Sequence, residues 1–161
     1  MTAEAGGRSE PAPPVGTDRT AEPDDATVLR LFAGQPVDQD TIAHYRGLLQ
    51  RRLLLNRCND CSEWHHPPRP LCPRCWSFDV SPTEVSGSGT IVLLTFLDRG
   101  EQQAPHPVAT VDLDEQRGLR FTATIRGQAT PDTARVGDRV QLVWIATGSG
   151  SVPAFAPEGT P

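Results

Sequence analysis

The chain has 161 residues and a formal net charge of −5, with an isoelectric point near 5.3. That length allows one medium domain, or a small domain with an accessory module. The acidic balance argues against a sequence-blind grip on nucleic acid, and no run approaches the roughly 18 apolar residues of a membrane span.

Residues 1–27 contain no Leu, Ile or aromatic side chain and carry six acidic residues against two Arg. Such a stretch cannot bury enough apolar surface to offset its ordering entropy, so a disordered acidic tail is expected. It lacks a basic start followed by an apolar run and does not read as a signal peptide. Residues 28–57 then read as a docking segment and a helix. The apolar patch Val28-Leu29-Arg30-Leu31-Phe32 has either the body or a partner to dock on. A helix is expected from Gln39 to Arg51, capped by Asp38, with Ile42, Tyr45 and Leu49 on one stripe. Leu53-Leu54-Leu55 reads as a short strand entering the next module.

That module, residues 58–84, holds every cysteine in the chain: Cys58-Asn59-Asp60-Cys61 and Cys72-Pro73-Arg74-Cys75. Two residues between thiolates let a tight turn aim both sulfurs at one point. Two such turns complete a tetrahedron, the arrangement of a structural zinc site with no open position. Two redox dithiols or two disulfides are the alternative use of these pairs. His65 and His66 lie between the pairs and could in principle replace a thiolate, but with four cysteines present they read as hairpin residues. Ser62 and Trp76 follow the second cysteine of each pair, where a backbone turning with positive φ favours Gly; strained turns are expected there.

From residue 85 to about 158 the texture is β. Gly87-Ser88-Gly89 punctuates, and Thr90–Leu97 is apolar on both parities. His106–Leu113 alternates, with Ala109, Val111 and Leu113 on one face. Leu119, Phe121, Ala123 and Ile125 face inward, against Arg120, Thr122, Thr124 and Arg126. Val140, Leu142 and Trp144 share a face, and Pro153-Ala154-Phe155 returns briefly. Short strands at this spacing describe a five-stranded barrel or sandwich. The row Arg120, Thr122, Thr124, Arg126 reads either as a phosphate-binding face for coenzyme A or as a solvated strand face.

In this order, the stretches Leu48–Cys58, Pro67–Cys75, Val85–Thr90, Pro107–Leu113 and Val136–Val140 resemble the family of zinc-ribbon plus OB-fold proteins called "domain of unknown function 35". The resemblance covers residues 38–158. It implies a mainly β chain: an N-terminal helix, a rubredoxin-like zinc ribbon with Cys58, Cys61, Cys72 and Cys75 on zinc, then a five-stranded OB-fold barrel. Arg51 departs from the family, which often has Gly there, and this bears on the helix C-cap.

The family's work is accessory. The resemblance implies a non-catalytic subunit that supports a thiolase-fold or ketosynthase-like enzyme (thiolase, aldolase or acyltransferase) acting on acyl-CoA thioesters. It would do so in a hetero-oligomer, helping to form the acyl-CoA channel. With no membrane span or signal peptide the chain is expected in the cytoplasm, and the outward row offers Arg120 and Arg126 as candidate coenzyme A contacts. The residues agree: no nucleophile motif, P-loop or dinucleotide fingerprint is present, no cysteine is left over, and His44 and His106 read as packing or surface residues. Two other readings remain, a stand-alone acyl-CoA-binding protein and a single-stranded nucleic-acid binder. The latter wants a basic track, whereas six Arg face eight acidic residues from residue 85 onward.

Overall fold

The computed structural model describes residues 22–100, 104–127, 133–147 and 150–158. Most of the expected tail lies outside these residues, but its last residues do not form a tail. Asp24 caps a helix, its carboxylate accepting from the Thr27 N–H at 2.9 Å, and α1 runs Asp25–Leu31. The Val28–Phe32 patch docks on the body: Val28 is fully buried, and the Phe32 ring packs 4.8 Å from Tyr45. Arg46 fastens the segment by donating to the Pro23 carbonyl at 2.9 Å and pairing with Glu22 and Asp25.

Helix α2 is shorter than its periodicity suggests, Ile42–Leu49. Asp38 accepts from the N–H groups of Asp40 and Thr41 and from the Thr41 hydroxyl, which closes a separate turn before the helix begins. At the other end Arg51 takes φ +58°. Arg52 N–H returns to the Gly47 carbonyl at 2.8 Å and Arg51 N–H to Leu48 at 3.2 Å. That pair of bonds is a Schellman cap, whose left-handed position is normally Gly. Gly47 itself is required by close approach, since a Cβ there would stand 2.7 Å from Leu54 Cγ and 2.8 Å from the Arg52 carbonyl.

The ribbon is a three-stranded antiparallel sheet ordered β2-β1-β3, from β1 (Leu54–Cys58), β2 (Trp64–His65) and β3 (Val80–Glu84). A closed barrel follows, ordered β4-β5-β6-β8-β7, from β4 (Ser88–Leu97), β5 (His106–Leu113), β6 (Arg120–Ile125), β7 (Arg139–Thr147) and β8 (Gly150–Pro157). The brief return at Pro153–Phe155 is thus a full strand, antiparallel to β7 and parallel to β6.

The two apolar parities of Thr90–Leu97 have one cause. Ile91 pairs with Val111 but Leu93 pairs with Thr110, so Val92 is an extra residue in a bulge. A bulge moves every later side chain to the other face. Ile91 faces the core before it and Leu94 packs against the core after it, while Leu93 and Leu97 turn outward. β4 and β7 share three pairs only. Arg139 reinforces that seam, holding Asp114 through two bonds of 2.6 Å and Glu158 at 2.9 Å.

One core serves both modules. Leu53, Leu55 and Val85 from the ribbon side join Ile91, Val111, Phe121, Val140 and Phe155 of the barrel. The left-handed conformation costs a non-Gly residue about 1–2 kcal/mol, and the Arg51 side chain makes one exposed bond, to Ser151 Oγ. Arg51→Gly is therefore expected to stabilise the chain by about 1 kcal/mol, raising the midpoint of thermal unfolding by roughly 3 °C. Gly47→Ala, in the same cap, is expected to lower stability by about 1–3 kcal/mol through overpacking. Calorimetry on the two variants checks both signs.

Candidate metal centre

The two cysteine pairs sit on two copies of one turn. Cys58 N–H donates to the Glu63 carbonyl and Ser62 N–H returns to Cys58. Five residues apart in the same way, Cys72 N–H donates to Ser77 and Trp76 N–H returns to Cys72. The return position is left-handed in each, φ +61° at Ser62 and +64° at Trp76. The strain expected from the absence of Gly is present in both turns, at about 1–2 kcal/mol each.

These turns aim four sulfurs inward. All four Sγ atoms lie within 4.8 Å of one another, with 3.6 Å between Cys58 and Cys75 and between Cys61 and Cys72. A zinc ion with Zn–S bonds of 2.3 Å sets tetrahedral S···S edges of about 3.8 Å. The cysteines are unpaired by disulfides, and their spacing is much longer than the roughly 2.05 Å of an S–S bond. Backbone N–H groups also point at the sulfurs. Cys61 accepts from Glu63, Cys72 from Cys75 and Arg74, and Cys75 from Ser77.

The electrostatics ask for a cation. Burial pushes the Cys72 thiol up, but the N–H groups of Cys75 and Arg74 and the thiols of Cys61 and Cys75 outweigh it, to about 7. At Cys75 the Ser77 N–H pulls the thiol down, yet the sulfurs of Cys61, Cys58 and Cys72, with burial, raise it to about 12. Four adjacent thiols cannot all ionise unaided, whereas a divalent ion would let them. The residues therefore fit a tetrahedral thiolate zinc site held by Cys58, Cys61, Cys72 and Cys75. Such a closed site carries folding energy rather than catalysis.

The surroundings lock the turns together. Asn59 bonds Asp79 and Ser81 through its side chain, and Ser77 Oγ donates to Asp60 at 2.5 Å. Gln116, in the turn after β5, accepts from Trp64 N–H at 2.9 Å and donates to Glu63 Oε1 at 2.9 Å. Glu63 also pairs with Arg74 at 3.2 Å. One glutamine thus ties both knuckles to the barrel. Nothing in the sequence pattern flags it, because its partners are a backbone strand and a carboxylate remote in sequence.

The histidines lie elsewhere. His65 and His66 are not in the sulfur cluster. His66 stands 5.5 Å from His44 and 5.5 Å from Phe121, where ribbon, α2 and barrel meet. His44 Nδ1 donates to the Leu54 carbonyl at 2.8 Å. Burial holds both imidazoles below the usual range, and the His44 charge adds to the effect at His66, which falls to about 4.

Arg120 and Arg126 are not brought together. Arg120 starts β6 and pairs with Asp112 at 3.5 Å, while Arg126 follows the strand's last residue. Six residues of extended chain separate them by about 20 Å. Thr110 and Thr122 bond each other at 2.9 Å on the same outer face.

A pair of thiolate knuckles leading directly into a closed five-stranded barrel defines a zinc-ribbon/OB-fold protein. Residues 46–81 match the family model "ChsH2, rubredoxin-like zinc ribbon domain", and residues 82–145 match "ChsH2, C-terminal OB-fold domain". The chain belongs to the ChsH2 family. A solved structure described as "Ltp2-ChsH2(DUF35) aldolase" is 31% identical, with a TM-score of 0.67 over 76% of this chain and 98% of that one. A DUF35-family protein of unknown function from Sulfolobus solfataricus, 14% identical, shares the fold with a TM-score of 0.54, covering 83% of this chain and 95% of that one. A Thermomonospora curvata protein named "Probable enoyl-CoA hydratase alpha subunit" is 34% identical over 125 residues, 75% of this chain. The chain spans 38% of that relative's length.

Elemental analysis of the purified chain is expected to find one zinc per molecule, and Cys72→Ser to give a zinc-poor, insoluble product. The depressed His66 pKa favours the neutral imidazole of the folded state. Its contribution is thus fully present above pH 6.5 and is lost as pH falls from there through about 4. Denaturant unfolding is expected to show the loss across that window smaller in His66→Phe than in the wild type by up to about 3 kcal/mol, the remainder including the His44 share.

Proposed function

We propose that this chain is a non-catalytic subunit of an acyl-CoA enzyme, assembled with a thiolase-fold partner that carries the reacting groups. The observation that carries this reading is the 31% identity to the ChsH2(DUF35) chain of an aldolase, over 98% of that chain. The site chemistry supports it. Among the described residues the four thiols are committed to one closed cluster, and the buried histidines are spent on packing at the junction. No helix among the described residues is long and apolar enough to cross a membrane, and a reducing cytoplasm would keep the four thiols available for zinc.

A second reading of the partner rests on the Thermomonospora curvata relative, whose name specifies an enoyl-CoA hydratase subunit. In that case the chain supports hydration of an enoyl thioester rather than carbon–carbon bond cleavage. Both place it beside another polypeptide's active centre. A nucleic-acid role is disfavoured, since Arg46, Arg52, Arg74, Arg120 and Arg139 are all engaged by carboxylates.

A tagged copy purified from its native host is expected to bring down a thiolase-fold enzyme, identified by mass spectrometry. The isolated chain is expected to turn over no acyl-CoA thioester, while the complex does. Recovery of a hydratase alone moves the assignment to the second reading; turnover by the isolated chain ends both. If Arg120 and Arg126 touch coenzyme A, replacing both with Ala raises KM for the thioester several-fold and leaves kcat unchanged.

A further inference from the structure

The second knuckle ends in two aromatic side chains that the chain itself does not use. Trp76 is 71% exposed and Phe78 is 78% exposed. Among the described residues neither ring packs against another ring, and the one guanidinium over an indole, that of Arg57, covers Trp64. Phe78 also lines an open groove of about 300 Å³ of mixed character, shared with Ala43 and Pro82 and with the polar Gln39, Asp40 and Arg69.

A second, independent observation concerns the backbone. Trp76 occupies the left-handed position of its turn, which a bulky side chain rarely takes. The equivalent place in the first knuckle holds the small Ser62. Strain of this kind persists where the surrounding structure enforces it, and it gathers at functional sites. Here the sulfur cluster fixes the turn, and the strained residue holds its indole in water. Among the described residues no ring contact of the indole itself offsets that strain.

We propose that the Trp76–Phe78 tip is the anchor by which this chain docks on its enzyme subunit, the two rings entering an apolar surface of that enzyme. The proposal rests on the subunit reading above. Buried aromatic anchors, Trp above all, dominate binding energy at protein interfaces. The exposed area selects the occupant. With roughly 150–250 Å² per aromatic side chain, two copies of this chain meeting tip to tip would bury roughly 600 Å². Stable interfaces start near 1,200 Å². A homodimer through the tip is therefore undersized. An enzyme subunit that takes the rings and also covers the groove beside Phe78 can reach the required area.

The test uses the full zinc-loaded chain and the enzyme identified by co-purification. Trp76→Gly removes both the strain and the anchor. It is expected to raise the thermal midpoint of the free chain by a few degrees and to weaken the complex at least about tenfold by titration calorimetry. Ser62→Gly, the matching change in the other knuckle, is expected to raise the midpoint and leave Kd within about twofold. A Kd for Trp76→Gly that changes less than tenfold overturns the anchor and leaves the subunit reading standing. A lower midpoint in the free chain overturns it as well, because the indole would then be packing within its own chain. If no enzyme co-purifies, both readings fall together.

Discussion

Repulsion among four thiolates held in one small volume is the constraint from which the rest of this molecule follows. Left to themselves, the sulfurs keep a proton on Cys75; a divalent cation would let all four ionise and draw the two turns together. The ribbon has little else to hold it. Its sheet is three strands, one of them two residues long, and the large, fully buried side chains that lead into it, Leu53 and Leu55, belong to the core shared with the neighbouring barrel. Because β1 runs from those leucines into Cys58, fixing the sulfurs also fixes the angle at which ribbon and barrel share a core.

That shared core makes the modules one body. Gln116 stitches the knuckles to the barrel through hydrogen bonds, and α2 closes the remaining side with His44 against Phe121 and Leu54. Among the described residues, polar side chains on the outside of the barrel are drawn into pairs with one another, Thr110 with Thr122 and Asp112 with Arg120. A fold of this kind offers rigidity and surface, which is what the proposed subunit role asks of it.

Much of this was legible in the residues. The four cysteines named their own cluster, since spacing alone constrains where thiolates can point. The inward row Leu119, Phe121, Ala123, Ile125 was readable because strict alternation survives on β6. Other features depended on partners distant in sequence. The bulge at Val92 scrambled the parity of β4, so one strand looked covered on both faces. Strand β8 was read only as a brief return, because its apolar residues find their places through Ile125 and Leu142, far up the chain. Helix α1 was hidden by acidic neighbours, and only the Arg46 clamp and the burial of Val28 reveal it. The outward row that offers Arg120 and Arg126 as coenzyme A contacts came from alternation, which does not reveal the carboxylate beside Arg120.

The parallel pairing of β6 with β8 has a bearing on how the chain is made. Every strand pairing of the ribbon sheet lies between Leu54 and Glu84, so that sheet can pair while the ribosome is still adding residues. The barrel cannot: until the strand from Gly150 to Pro157 emerges, the flank of β6 stays bare and Phe155 is missing from the core. Synthesis thus delivers a paired ribbon sheet attached to an open one, and the nascent polypeptide is most exposed to stray pairing in the interval before Gly150–Pro157 seals the wall.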